Sequence, residues 1–285
     1  MTETWFEDLA RYVLIAALVV FAATLLFVVI TRITRQARTA SRDQRITRLR
    51  THMSAILDEE PLPELSNKDC KELTTLVISL SQSVRGEDRA ILAAWLRGVD
   101  VERRAFDLMN SRIASRRAKG ITLYLPLADR EPAPLEKLLE DRNRAVRALA
   151  ARALGRAAAL DSLPALLEHT GNGPRSIPEP VAMMAIMRMA PRSANPFFNV
   201  LPKVKTDTAA FLVRLVGSLN LIDGRARLEH LLRDPRAEVR LAALGSLGNL
   251  GMPTSLRALE DYVPTSEAEE VARRQALADV ELSLS

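Results

Sequence analysis

LEKLLEDRNRAVRALAARALGR, residues 135–156, returns as LEHLLRDPRAEVRLAALGSLGN at 228–249. Leu135, Glu136, Leu138 and Leu139 meet Leu228, Glu229, Leu231 and Leu232. Further along, Asp141 meets Asp234, Val146 and Arg147 meet Val239 and Arg240, and Ala150, Leu154 and Gly155 meet Ala243, Leu247 and Gly248. The offset is 93 residues throughout, three steps of 31. Phe197, Leu201, Leu212, Val216 and Gly217 repeat Leu135, Leu139, Ala150, Leu154 and Gly155 at 62 residues. At 31 residues the copy keeps Leu166, Val181 and Ala185 and puts Ile186 at the glycine position. Four repeat units follow.

Each unit reads as helix, turn, helix. The segment Pro134–Glu140 sets Leu135, Leu138 and Leu139 on one stripe, the spacing of an amphipathic helix. Asp141 or Asp234 comes next, a residue type suited to capping the second helix. That helix carries Val146, Leu149, Ala150, Ala153 and Leu154, and Gly155 or Gly248 falls near its end, where glycine lets a helix stop. One such unit cannot bury its apolar faces alone, so the units must stack around a shared core. The expected fold is all-α, an α-solenoid.

The DRNRAVRALAARALGR and DPRAEVRLAALGSLGN segments resemble short bacterial HEAT repeats of about 31 residues, similar to those of phycobilisome-lyase-type solenoids. The resemblance is good over 132–262 and fair over 87–131, and GNGPRSIPEP at 171–180 departs from it. The whole layout is similar to bacterial membrane-anchored HEAT-repeat proteins. That resemblance implies a noncatalytic scaffold with a protein partner, a membrane glycosyltransferase of envelope or exopolysaccharide synthesis being the one suggested. It transfers no catalytic residue. The alternative it leaves open is an accessory of the phycobilisome-lyase type, binding a small ligand in its groove.

The anchor is read from Val13–Ile30, eighteen consecutive uncharged residues that cover most of a hydrocarbon core of about 30 Å. Glu3, Glu7, Asp8 and Arg11 precede it, whereas Arg32, Arg35, Arg38, Arg42, Arg45, Arg48 and Arg50 follow against Asp43 alone. Positive charge resists translocation, so the N-terminus is expected outside and the solenoid in the cytoplasm, on a single-pass inner-membrane anchor. The divisions are then an outer N-terminus (1–11), a transmembrane helix (12–31), an arginine-rich juxtamembrane helix (32–58), a helical cap with degenerate repeats (59–131) and the solenoid (132–285). Arg32, Arg35, Arg38, Arg42, Arg45 and Arg48 are the candidate membrane-surface residues, either touching anionic headgroups or fixing topology. EEPLPELS at 59–66 breaks the pattern, and Ser66 or Asn67 caps a helix expected over 68–84.

The net charge of +5 misleads. Residues 1–50 hold 8 of the 40 Lys and Arg and 4 of the 35 Asp and Glu, leaving 32 basic and 31 acidic residues beyond. A nucleic-acid partner is not expected from so neutral a domain. Cys70 stands alone, and His52, His169 and His230 have no ligand spacing, so no metal or cofactor is expected. No phosphate-loop, serine-hydrolase or zinc-protease motif occurs, and GNG at 171–173 lacks the third glycine of a dinucleotide site. Asp58, Glu59 and Glu60 read as solvated carboxylates. No enzymatic activity is expected. Two patches have double readings: Met183, Met184, Met187 and Met189 as core stripe or adaptable partner surface, and Arg112, Arg116, Arg117 and Lys119 as a solvated helix end or a seat for phosphate or an acidic partner. The core stripe and the solvated end are the expected ones.

Overall fold

The computed structural model describes Thr24, Leu49 and residues 51–283 other than Gln82 and Arg85. Apart from Thr24, the expected transmembrane helix (12–31) and the arginines at 32–48 lie outside the described residues. Among those that are described, no helix is long and apolar enough to cross a membrane. All regular structure among them is helical, with one isolated bridge between Thr170 and Ile177 and no strand.

The chain divides into two compact units, Met1–Val77 and Ile78–Ser285. In the first, residues 51–57 are helical, with Leu49 and Ile56 buried. Residues 60–66 run without regular structure, and helix α1 (Asn67–Ser81) starts where Ser66 Oγ accepts from the Asp69 N–H at 3.2 Å. The unit boundary falls inside α1.

After the end of α1 the second unit continues with α2 (Glu87–Gly98) and six helix pairs among the described residues. The first members are α3 (Val101–Met109), α5 (Ala133–Glu136), α7 (Leu163–Glu168), α9 (Asn195–Val200), α11 (Arg225–Leu231) and α13 (Leu256–Glu260). Their partners are α4 (Ala114–Tyr124), α6 (Arg144–Ala157), α8 (Glu179–Met189), α10 (Thr206–Ser218), α12 (Ala237–Leu250) and α14 (Glu267–Leu282). Each second helix packs on the next, α4 on α6, α6 on α8 and so on to α14, while the first helices cover one side of that row. Pro134, Pro164 and Pro196 open three of the short helices, where a missing N–H costs nothing. Stacking buries Leu135, Leu139, Val146, Ala150, Leu154, Leu228, Val239, Ala243 and Leu247, the residues that set the repeat.

Two pairs exceed the four units expected. In α3/α4 the core is Ala105, Ile121 and Tyr124 in place of the leucine pattern. In α14 the third helical residue, Val146 in α6 and Val239 in α12, is Glu269, so the hydrophobic register that defines the repeat is broken there.

Gly155 and Gly248 do not end their helices. A β-carbon on Gly155 would fall 2.6 Å from Ala185 Cα, on Gly217 2.6 Å from Ser246 Cα, and on Gly248 2.9 Å from Ala276 Cα. The glycines let successive long helices touch backbone to backbone. The stops lie about three residues on, at Ala158, Ala190, Asn220 and Gly251, all with positive φ between 49° and 59°.

Candidate functional site

The repeat turns are bound together by arginines at the fourth position of three long helices. Arg117 in α4 donates from Nε and Nη2 to the two carboxylate oxygens of Asp141 at 2.6 and 2.7 Å, and from Nη1 to the carbonyls of Ser111 and Arg112. Arg147 in α6 gives Nη1 to the Asp141 carbonyl and Nη2 to the carbonyls of Pro174 and Ser176. Arg240 in α12 donates from Nη1 to the Asp234 carbonyl and from Nη2 to Glu269 at 2.6 Å. Each guanidinium ties its own turn to the turn of the following pair, using the planar fork that suits it to bidentate pairing. The departure at 171–180 is thereby explained: a loop closed by Gly171 N–H to the Ile177 carbonyl presents main-chain oxygens where the other pairs present a carboxylate.

This removes Asp141 and Asp234 from the capping role expected of them. Asp141 Oδ1 accepts from the Asn143 N–H and Asp234 Oδ1 from the Arg236 N–H, shaping the turn, and Asn143 caps α6. Burial pushes the Asp141 carboxyl up, but Arg117 and the Asn143 N–H hold it below the usual range. Burial likewise opposes ionisation of Glu269. Hydrogen bonds from the Thr265 N–H and hydroxyl, the Tyr262 hydroxyl and Arg240 win, holding its carboxyl down to about 2. A second device repeats at the 93-residue spacing: Ser162 Oγ donates to Glu136 at 2.6 Å and Ser255 Oγ to Glu229 at 2.9 Å.

With Arg117 buried in that ladder, the expected basic cluster breaks up, and Arg112, Arg116 and Lys119 are left exposed. Exposed on the long helices are Arg116 and Lys119 from α4 and Arg144, Arg152 and Arg156 from α6. Neither helix contains an acidic residue. On α8 the exposed surface is mostly apolar, with Arg188 at its C-terminal end. Met183, Met184 and Met187 are 36%, 50% and 55% exposed, whereas Ala182, Ala185, Ile186 and Met189 are buried. Met189 is thus core, but Met183, Met184 and Met187 are not: close contact with Gly155 sets Ala185 at the seam and turns these three outward. α10 and α12 bring Asp207, Arg214 and Glu238 to their exposed faces.

On the short-helix side, an open trough of about 670 Å³ lies along His230, Arg233, Arg257 and Tyr262. Another of about 560 Å³ lies along Phe198, Pro202, Arg227 and Pro235, with the Arg227 guanidinium 5.6 Å above the Phe198 ring. His169 is spent locally, its ring nitrogens lying 2.7 Å from the Ala165 carbonyl and 3.1 Å from Glu140. Among the described residues, no group of His, Cys, Asp and Glu gathers as a metal site.

Residues 195–278 match the family model for HEAT repeats. The chain carries a HEAT-type domain. A chain of the CpcE–CpcF complex of phycocyanin lyase from Nostoc sp. PCC 7120 is 19% identical, with 79% of this chain and 91% of that one covered at a TM-score of 0.31. An engineered protein from the Northeast Structural Genomics Consortium is 15% identical, with coverage of 81% and 97% and a TM-score of 0.35. Neither likeness carries an argument about what the HEAT-type domain binds. No curated protein matches the chain.

Proposed function

We propose that the chain is a noncatalytic adaptor whose HEAT-type domain holds a partner protein along the exposed surfaces of α4, α6 and α8. The observation that carries this reading is the exposed trio Met183, Met184 and Met187 beside two helices whose charged residues are all basic. Exposed methionines repack around varied apolar side chains, and basic flanks select acidic ones and speed encounter. The matching partner is a polypeptide segment with an apolar anchor between carboxylates. The uncharged stretch Val13–Ile30 and the arginines after it support a membrane anchor, with the domain on the cytoplasmic side. A membrane glycosyltransferase, the partner suggested by the resemblance, fits that placement. The ligand-binding alternative finds no enclosed site in the troughs of the short-helix side.

The test is crosslinking in intact membranes with the full chain, followed by affinity purification, comparing the natural sequence with the Met184→Ser/Met187→Ser double variant. The expected result is one membrane protein recovered with the natural chain and depleted about tenfold with the variant, as for loss of an interface hot spot. Equal recovery by both chains, or recovery of no protein, overturns the reading.

A further inference from the structure

A cavity of about 410 Å³ within the second unit is lined by Ser81, Ser83, Arg89, Leu125, Arg156 and Arg188 among others. Arg89 comes from α2, and Arg156 and Arg188 stand next to the ends of α6 and α8. Three guanidinium groups thus surround one small space. Arg89 Nε is buried without a hydrogen-bond partner, the one such side-chain atom among the described residues. The carboxylate nearest to it, Asp129, stands 3.9 Å from that nitrogen, beyond hydrogen-bonding distance. Arg156 and Arg188 are exposed and make no ion pair among the described residues.

A buried donor left unmade is costly, and three like charges around one space with a single carboxylate 3.9 Å from one of them still repel. The two buried arginines of this domain are engaged, Arg117 with Asp141 and two carbonyls and Arg147 with three carbonyls, whereas Arg89, its side chain 22% exposed, buries its Nε without an acceptor. The contrast at Arg89 points to an acceptor that is not part of the chain. Guanidinium forks match the paired oxygens of a phosphoryl group. A cavity of this volume is within the range of small-molecule sites, and Leu125 and Pro126 give it an apolar wall.

We propose that this cavity binds the phosphoryl end of a small phosphorylated molecule, with Arg89, Arg156 and Arg188 gripping the oxyanion and the Leu125–Pro126 wall receiving the organic part. Arg188 follows Met184 by four residues, so the cavity adjoins the methionine face, but an oxyanion held there does not require that face to bind a protein.

The test is titration calorimetry on the full chain in a maltoside detergent, with pyrophosphate and inorganic phosphate as probes and sodium acetate at matched ionic strength as the control. The expected result is one saturable site for pyrophosphate and none for acetate. Arg156→Gln and Arg188→Gln should each weaken it by about tenfold, the loss of one charge-assisted contact, while Arg214→Gln on α10 leaves it unchanged. Arg156 and Arg188 are exposed, so these variants keep the fold, and circular dichroism checks it. Absence of saturable heat up to about 10 mM pyrophosphate, which marks binding weaker than a specific site, overturns the proposal. So does equal affinity in the Arg156→Gln/Arg188→Gln double variant, or equal competition by acetate.

Discussion

Gly155 lies so close to Ala185 that a β-carbon on the glycine would come within 2.6 Å of the alanine Cα. The contact is the seam between two successive repeats, and the same seam recurs from Gly217 to Ser246 and from Gly248 to Ala276. Gly155→Ala and Gly217→Ala should each destabilise the domain by about 1–3 kcal/mol, since backbone has to move to admit the methyl. Gly245 sits on the exposed side of α12 with nothing within 4 Å of its would-be Cβ. Gly245→Ala should therefore stabilise by about 0.5–1 kcal/mol, through propensity alone. Urea midpoints of the three variants check both signs.

The ladder gives a second expectation. Arg117 and Asp141 form a bidentate pair with side chains 7% and 6% exposed. Asp141→Ala leaves a buried guanidinium without its counter-charge and should cost about 3–5 kcal/mol. Arg112→Gln and Arg116→Gln, in the same basic run but exposed, should stay within about 0.5 kcal/mol. Denaturant titration separates the two classes.

Acid should loosen the last pair. The Glu269 carboxyl is held down to about 2 from an ordinary 4.5. A lowered folded-state pKa gives stability that is present in full above the unfolded value and lost as pH falls through the folded one, here from about 4.5 toward 2. Thermal unfolding followed between these limits should show a slope that Glu269→Gln flattens. An unchanged slope would place the titrating group elsewhere.

The helix stops can be tested by glycine exchange. Ala158 and Ala190 have φ of 52° and 49°, where a β-carbon crowds the following carbonyl. Ala158→Gly and Ala190→Gly should stabilise by about 0.5–1 kcal/mol, whereas Gly251→Ala, at φ 59°, should cost about 1 kcal/mol. Melting temperatures report the sign of each.

The repeat could be read from sequence because Leu, Val, Ala and Gly recur at positions that must be buried and small whatever the neighbouring residues are. The last pair escaped that reading because a carboxylate, Glu269, fills a core position, and only its distant partners Arg240 and Tyr262 make this tolerable. The roles of the glycines and of Asp141 were misassigned for a related reason. A residue type known from helix ends was given its local role, whereas its actual partner lies some 25 to 30 residues away. The methionine face was hidden by periodicity: Met183 and Met187 have core spacing, and only the seam at Ala185 decides which side of α8 faces inward. The cavity around Arg89 joins residues separated by about a hundred positions with no shared motif. The nearest sequence signal was the placing of Arg156 and Arg188 next to their helix ends.

The loop at 171–180 has its own consequence. At the α6–α8 junction Arg147 is met by the carbonyls of Pro174 and Ser176, while the α4–α6 and α12–α14 junctions depend on Asp141 and Glu269. Amide oxygens neither gain nor lose a proton in the range where carboxylates titrate. Acidification therefore acts on the α4–α6 and α12–α14 junctions through Asp141 and Glu269, whereas the grip of Arg147 on the loop between α7 and α8 has no acceptor to protonate.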